Sequence, residues 1–112
     1  PTFVLATTHL KAGLCARWEA ERAKQAAALC AALHAFCAAD EAVVLAGDLN
    51  AHPGRLEPDN DGRALEPLAL PALHAAGFRC AFSEAAGAPP AFTYWAGWAD
   101  RDVKTAFDHC LP

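Results

Sequence analysis

The sequence contains no methionine, only one tyrosine and no excess of positive charge. Because nine lysines and arginines are outnumbered by thirteen aspartates and glutamates, the formal net charge is −4. The chain therefore lacks the overall basic character of a general nucleic-acid-binding protein. No apolar run approaches the roughly 20 residues that span a bilayer, so no membrane association is expected. A polyanionic substrate would have to be attracted by local cations and a metal ion.

The two ends of the sequence indicate a partial domain. The chain begins at Pro1 without an initiator methionine, and strand-like residues follow at once. At the other end, an apolar segment at residues 107–111 stops at Pro112. We therefore expect residues 1–112 to form one domain that is incomplete at both ends. With 54% hydrophobic residues, this segment is expected to fold rather than to remain disordered.

The cysteine content favours a reducing compartment. The five cysteines are an odd number at irregular spacing, which is not typical of a disulfide framework. We expect reduced thiols and an intracellular, cytoplasmic protein. A targeting segment, if the gene encodes one, would lie in the N-terminal part that this sequence lacks.

The hydrophobic pattern predicts strands that alternate with helices, which is typical of α/β layers. Strands are predicted at residues 2–8, 42–46, 78–82, 92–95 and 104–111, and helices at residues 17–38 and 72–76. Residues 53–66 are rich in proline, glycine, aspartate and asparagine and predict a surface loop. Nothing in the pattern marks a second domain.

The long predicted helix has an apolar stripe at steps of three and four residues. Its predicted inner residues are Trp18, Ala23, Ala26, Cys30, Leu33 and Cys37. Its charged residues, Glu19, Glu21, Arg22 and Lys24, are expected largely outside the stripe. Cys30, His34 and Cys37 share a face and suggest a zinc site, but one helix supplies only three ligands, so core packing is the favoured interpretation.

The segment Gly47-Asp48-Leu49-Asn50 follows the most apolar of the predicted strands. If the segment stays extended, Asp48 and Asn50 point to the same side. The carboxylate can then hold or deprotonate a water molecule, and the amide can fix that water or a phosphoryl oxygen. The alternative interpretation is an Asx turn that closes the strand, because both residue types favour turns.

Two further pairs of residues carry suitable chemistry. His9 ends the first predicted strand two residues before Lys11, so that a hydrogen-bond donor and a fixed positive charge could reach one phosphate. Lys104 and Asp108 lie near the other end of the chain, and an aspartate among apolar neighbours needs a partner such as a histidine. Taken alone, each pair is more often an ordinary feature of a strand end.

The order of these motifs resembles the deoxyribonuclease-I-like endonuclease/exonuclease/phosphatase superfamily. Its best-known tetrapeptide matches residues 47–50, and Thr8-His9-Leu10-Lys11 precedes it by one helix. Within the superfamily, Lys11-Ala12 followed by Trp18, Glu19, Arg22, Gln25 and Leu29 is similar to the nocturnin-like and carbon-catabolite-repressor-type deadenylases. This branch usually has Asp-Tyr-Ile where the present chain has Asp108-His109-Cys110.

The resemblance implies an α/β fold in which two packed mixed β-sheets lie between helices, as a four-layer α-β-β-α sandwich. This chain would be a piece of its C-terminal half. The branch uses Mg²⁺, or Mn²⁺ in its place, held mainly by a glutamate that this chain lacks, with Asp48 and Asn50 as further ligands. Asp48 would position or deprotonate the attacking water, with Asn50 beside it. The implied substrate is a 3′-poly(A) RNA tail or a phosphorylated nucleotide such as NADP(H).

The resemblance also implies roles for the remaining residues. His9 would donate to the phosphoryl oxygens, and Asp108 would orient a histidine. Lys11 and Lys104 would contact substrate phosphate. The piece alone is then expected to be inactive, because the glutamate ligand is missing. Two alternatives remain at this stage: an inactive binding module that keeps the scaffold, and a zinc-stabilised domain built on the cysteines.

Overall fold

A computed structural model describes residues 3–55 and 62–88 with their side chains, and residues 94–98, 101–105 and 108–111 as backbone only. The architecture is mixed α/β, as the sequence predicts. The elements are β1 (Phe3–His9), α1 (Ala16–Phe36), β2 (Ala42–Asp48), α2 (Ala69–Ala75), α3 (Ala81–Ala86), β3 (Tyr94–Trp98), β4 (Arg101–Thr105) and β5 (Asp108–Leu111). In this described part, no helix is long and apolar enough to cross a membrane.

The larger sheet has three strands in the order β1-β2-β5. β1 and β2 are parallel and are connected through α1, and their last residues, His9 and Asp48, are partners in the register. β5 is antiparallel to β2, so that its first residue, Asp108, is the partner of Asp48. The carboxyl ends of β1 and β2 and the amino end of β5 therefore meet at one edge of the sheet. β3 and β4 form a separate antiparallel pair.

The hydrophobic core lies between the larger sheet and the helices α1 and α2. Ala26 of α1, Leu45 of β2 and Leu73 of α2 are completely buried in one cluster. Full burial of one leucine side chain stabilises a fold by about 1.5–3 kcal/mol. The opposite face of β1 is open, since the side chains of Phe3 and Leu5 are more than half exposed.

Two of the strand predictions are wrong. No strand forms at residues 78–82, because these residues first end one helix and then begin another. Phe78 N–H donates to Leu73 O, Gly77 N–H donates to His74 O, and Gly77 has φ 99°. These two bonds form the Schellman motif that closes α2.

The predicted strand at residues 104–111 is also wrong, because two strands in different sheets occupy this segment, with residues 106–107 outside the described part. The helix predicted at residues 72–76 begins earlier, at Ala69, and Pro71 lies in its first turn. β3 includes residues 94–95 of the strand predicted at residues 92–95, and residues 92–93 lie outside the described part of the structure.

The charged face of α1 differs from the prediction in a way that concerns the candidate site. Ala26 lies in the predicted inner stripe and is buried. Glu19 and Arg22, which were expected largely outside the stripe, are 1% and 0% exposed. Their burial is tolerated because each side chain is paired with the other and with backbone groups of neighbouring segments.

Candidate functional site

The first feature of the site is the contact between the last residues of two neighbouring strands. His9 Nε2 lies 3.6 Å from Asp48 Oδ2. The two side chains are 70% and 38% exposed, so both are open to a substrate. The contact follows from the parallel register, which places the final residues of β1 and β2 side by side. Sequence reasoning placed both residues at strand ends, and the structure brings them together.

The other oxygen of Asp48 closes a turn. Asn50 N–H donates to Asp48 Oδ1 over 2.9 Å, and Asn50 adopts φ 47°. This is the Asx turn that the sequence offered as an alternative, and asparagine tolerates this left-handed conformation better than most residues. Because the turn uses only Oδ1, Oδ2 remains directed towards His9. The structural and the chemical interpretations of Asp48 are therefore compatible.

Asn50 does not have the expected extended geometry, since β2 ends at Asp48. Its side chain is 7% exposed, and its Nδ2 donates to Leu10 O over 3.1 Å. Leu10 N–H in turn donates to Asp48 O over 3.0 Å. Asn50 thus joins the end of β2 to the loop that follows β1. This leaves its amide oxygen, Oδ1, as the atom that could act as a ligand.

Gly47 allows the two strand ends to approach closely. It has φ 147°, and a Cβ atom at this position would lie 2.0 Å from Thr8 O. Thr8 is its partner on β1, one residue before the His9–Asp48 pair. A larger residue would therefore push the strands apart at the site.

Lys11 supplies positive charge directly after β1. Its Nζ lies 4.4 Å from the centroid of the Trp18 ring, and Arg17 Cζ lies 4.7 Å from the same ring. Both cations are exposed, and in the part of the chain described with side chains neither is paired with a carboxylate. Two unpaired cations on one aromatic ring are a local attraction for phosphate in an acidic protein.

A buried network holds the loop that carries Lys11. Arg22 Nη1 donates to both Lys11 O and Gly13 O over 2.7 Å, and Lys11 N–H donates to Gln25 Oε1 over 2.8 Å. Arg22 Nε and Nη2 contact Glu19 Oε2 at 2.8 and 2.7 Å, with only the Nε contact having hydrogen-bond geometry. Sequence periodicity missed this network. The sequence signal for it was that Glu19, Arg22 and Gln25 are among the residues that resemble the deadenylase branch.

The remaining two predicted residues lie in different sheets. Asp108 begins β5 beside Asp48, so the backbone of the larger sheet brings it into one row with His9. Lys104 lies on β4 in the two-stranded sheet, where its partner is Trp95. The side chains of Lys104 and Asp108 lie outside the described part of the structure.

The cysteine-rich face of α1 lines a separate pocket. Cys30, His34 and Cys37 border a cavity of about 420 Å³, together with Glu41. Within the residues whose side chains are described, no three His, Cys, Asp or Glu side chains are arranged to hold a metal ion. Cys15, Cys30, Cys37 and Cys80 are free thiols. Burial raises the pKa of the Cys30 thiol, against a smaller lowering by a backbone hydrogen bond, and so keeps it protonated.

The donors at the His9–Asp48 edge fit a hard divalent cation. Asp48 Oδ2 and Asn50 Oδ1 are oxygen donors, and the backbone of Asp108 lies beside Asp48. Mg²⁺ is commonly held by one or two carboxylates, with water and substrate phosphate completing its coordination. The donor chemistry of these residues is therefore suitable for Mg²⁺.

Comparison with known families gives a match for this chain. The model of the endonuclease/exonuclease/phosphatase family matches residues 5–112, which include His9 and Asp48. A comparison with curated proteins found no significant match. Members of the matched family hydrolyse phosphate esters and generally use divalent metal ions. The chain therefore belongs to the endonuclease/exonuclease/phosphatase family.

Proposed function

We propose that this chain contributes the His9–Asp48 half of the active site of a magnesium-dependent phosphate-ester hydrolase of the nocturnin-like branch. The observation that carries the proposal is the approach of His9 Nε2 to Asp48 Oδ2 at an open sheet edge. The remaining metal ligand, a glutamate, lies outside these 112 residues in this proposal. We also propose that the protein works inside the cell, where the free cysteines stay reduced.

The two side chains have complementary roles in this reaction. Asp48 Oδ2 positions the attacking water and accepts its proton as the water oxygen bonds to phosphorus. The bond from phosphorus to the leaving oxygen breaks, and this oxygen keeps the bonding electrons and takes a proton from solvent water. His9 Nε2 donates a hydrogen bond to a phosphoryl oxygen as negative charge develops there. Their common position at the sheet edge supports these roles, because an acceptor and a donor on neighbouring strand ends can reach one reacting group. Asp108, beside Asp48 in the register, orients a histidine.

The Asp48 carboxylate and Asn50 Oδ1 would hold the metal ion. When bound, Mg²⁺ supplies Lewis-acid chemistry and neutralises phosphate charge. The Asx turn fixes the Asp48 carboxylate, and the bond from Asn50 Nδ2 to Leu10 O fixes the amide. Both donors are therefore held in one orientation before a substrate arrives, which reduces the ordering that binding requires.

Lys11 and Lys104 bind substrate phosphate in this proposal. The Lys11 ammonium is exposed, lacks a carboxylate partner among the described side chains and rests on Trp18. Local cations of this kind can attract a polyanion to a protein whose net charge is −4. The substrate is a 3′-poly(A) tail or a nucleotide with a terminal phosphate, such as NADP(H).

A second candidate function is a binding module without catalytic activity. The observation that favours it is the Asx turn, which gives Asp48 a structural role that requires no chemistry. In this case the strand-end residues would preserve the scaffold, and the exposed cations would bind a phosphorylated partner.

One assay separates the two candidates. The natural gene product is incubated with oligoadenylate, NADP(H) and the synthetic esters bis(p-nitrophenyl) phosphate and p-nitrophenyl phosphate, with Mg²⁺ or with EDTA. Hydrolysis that requires Mg²⁺ and is lost in His9→Ala supports the enzyme, and the preferred ester identifies a diesterase or a phosphatase. Binding of oligoadenylate without turnover supports the module. Lys24→Met, a charge loss on the exposed surface of α1, is the control.

A further inference from the structure

We infer that Gln25 and the buried Glu19–Arg22 pair are positioning residues that place Lys11 for its contact with substrate phosphate. The inference rests on the proposed function, because it concerns how one of the proposed phosphate contacts is formed. None of the three residues needs to touch the substrate. They act through the backbone of the loop that follows β1 and through the aromatic ring on which Lys11 rests.

The loop is held at consecutive backbone groups. Leu10 N–H donates to Asp48 O, and Leu10 O accepts from Asn50 Nδ2. In the next residue, Lys11 N–H donates to Gln25 Oε1 and Lys11 O accepts from Arg22 Nη1. All four bonds are between 2.7 and 3.1 Å long. The backbone of Lys11 is therefore fixed on one side by the site and on the other side by α1.

Arg22 also fixes the ring beneath the Lys11 ammonium. The Nη1 atom that donates to Lys11 O also donates to Gly13 O, two residues further along the chain. Gly13 lies directly against Trp18, since a Cβ atom there would lie 2.5 Å from the Trp18 Cδ1 atom. Lys11 Nζ is above this ring at 4.4 Å. Arg22 thus determines both the backbone of Lys11 and the place of its aromatic support.

Glu19 anchors Arg22 to the start of α2. One carboxylate oxygen contacts Arg22, and the other, Oε1, accepts from Leu68 N–H and Ala69 N–H at the start of α2. A buried ion pair is a poor way to gain stability, because desolvation opposes the attraction between the charges. The pair is better explained by the loop carbonyls that its guanidinium orders. Arg22 bonds to the backbone of the loop after β1, and Glu19 bonds to the backbone at the start of α2.

The chain contains a matched control on the same helix. Glu21 and Lys24 have the same three-residue spacing and also form an ion pair, but their side chains are 44% and 76% exposed. Neither residue bonds to the loop after β1 in the described structure. If variants of α1 acted only through lost charge or lost helix stability, changes in either ion pair would weaken substrate binding. If α1 positions Lys11, only changes in Arg22 or Gln25 should weaken it.

The test uses Gln25→Met, Arg22→Lys, Lys11→Met and the double variant Lys11→Met/Gln25→Met, with Lys24→Met as the control. Gln25→Met keeps the volume of a half-buried side chain and removes only the acceptor for Lys11 N–H. Arg22→Lys keeps the charge beside Glu19. The compact lysine ammonium lacks the planar fork by which the guanidinium reaches two carbonyls and the carboxylate. Circular dichroism establishes that each variant is folded. Binding of a short oligoadenylate and amide hydrogen exchange are then measured in the natural gene product.

We expect Lys11→Met and Gln25→Met each to weaken oligoadenylate binding by about threefold to tenfold, the scale of one hydrogen bond or exposed ionic contact. The double variant should bind no more weakly than Lys11→Met, because both changes remove the same contact. Exchange of the Lys11 amide should accelerate in Gln25→Met and not in Lys24→Met. Gln25 then acts through Lys11 rather than on general stability.

Two results would overturn the inference, and they have different meanings. If Lys11→Met weakens binding but Gln25→Met and Arg22→Lys bind as the unchanged protein does, the network is structural and the proposed function stands. If Lys11→Met itself has no effect on binding, the proposed phosphate contact is wrong and the positioning role falls with it. Additive losses in the double variant would also contradict the inference, since they would show that Gln25 acts independently of Lys11.

Discussion

His9 Nε2 and Asp48 Oδ2 lie 3.6 Å apart at the ends of two parallel strands that are separated in the sequence by one helix. The contact results from the register and from Gly47, which lets the strands approach just before their ends. The second oxygen of Asp48 is used in a turn, so the carboxylate is oriented without losing its exposed atom. A carboxylate and an imidazole thereby lie side by side on one open edge of the sheet.

The close approach at Gly47 leads to a prediction about stability. Gly47→Ala should destabilise the protein by about 3 kcal/mol or more, because the new Cβ would lie 2.0 Å from the backbone oxygen of Thr8 and the residue would keep a positive φ. Gly77→Ala, where φ is also positive but no atom of the described residues lies within 4 Å of a new Cβ, should cost roughly 1–2 kcal/mol. Urea denaturation measures both. Equal losses would show that φ alone, and not contact with β1, requires glycine at position 47.

The two ion pairs of α1 should differ strongly in their effect on stability. Arg22→Met leaves the Glu19 carboxylate buried without its charged partner, and such a loss typically costs about 3–5 kcal/mol. Lys24→Met removes the exposed partner of Glu21 and should change the free energy of unfolding by less than about 0.5 kcal/mol. Thermal or urea denaturation compares the two variants. A small effect of Arg22→Met would mean that Glu19 is not buried as described.

The thiols of Cys80 and Cys30 should differ in reactivity. Burial would raise the pKa of Cys80, but hydrogen bonds from the side chain and backbone of Ser83 and from the backbone of Phe82 lower it below its ordinary value. For Cys30, burial raises the pKa. Because the thiolate is the reactive form, a larger fraction of Cys80 is reactive at a pH just below the ordinary thiol pKa.

Iodoacetamide labelling at about pH 8 followed by peptide mass spectrometry tests this difference. Cys80 should be alkylated faster than Cys30 in the folded protein, and the two rates should become similar in urea. Ser83→Ala should slow the alkylation of Cys80, because it removes a hydrogen bond that stabilises the thiolate. Faster alkylation of Cys30 in the folded protein would contradict the assigned environments.

The strand ends at His9 and Asp48 were predictable because both strands are short apolar runs followed at once by polar residues. The register that pairs these two residues was not predictable in the same way, since it depends on how α1 connects the strands. The burial of Glu19 and Arg22 was missed for a physical reason. Helical periodicity assigns charged residues to solvent, whereas these two are satisfied by backbone groups of a distant loop and of α2.

The error at residues 78–82 has a different cause. Phe78, Cys80 and Phe82 recur at every second position, as they would on one face of a strand, but local hydrogen bonds decide the structure there. Gly77 adopts a positive φ and the Phe78 N–H closes α2, after which α3 begins at Ala81. A glycine directly before an apolar residue is the sequence signal for this helix end, and it outweighs the alternation.

The central claim is that the charge of Asp48 serves phosphate-ester hydrolysis and not only the turn at the end of β2. Asp48→Asn separates these roles, because an asparagine Oδ1 can still accept the Asn50 N–H and keep the Asx turn, but the amide cannot accept a proton from water. The measurement is steady-state kinetics of this variant in the natural gene product with Mg²⁺ and the best phosphate-ester substrate. We predict that kcat falls by about two to four decades while KM changes little. A kcat above about a tenth of the unchanged enzyme's value, which corresponds to less than about 1.4 kcal/mol of transition-state stabilisation, would show that Asp48 only closes the turn.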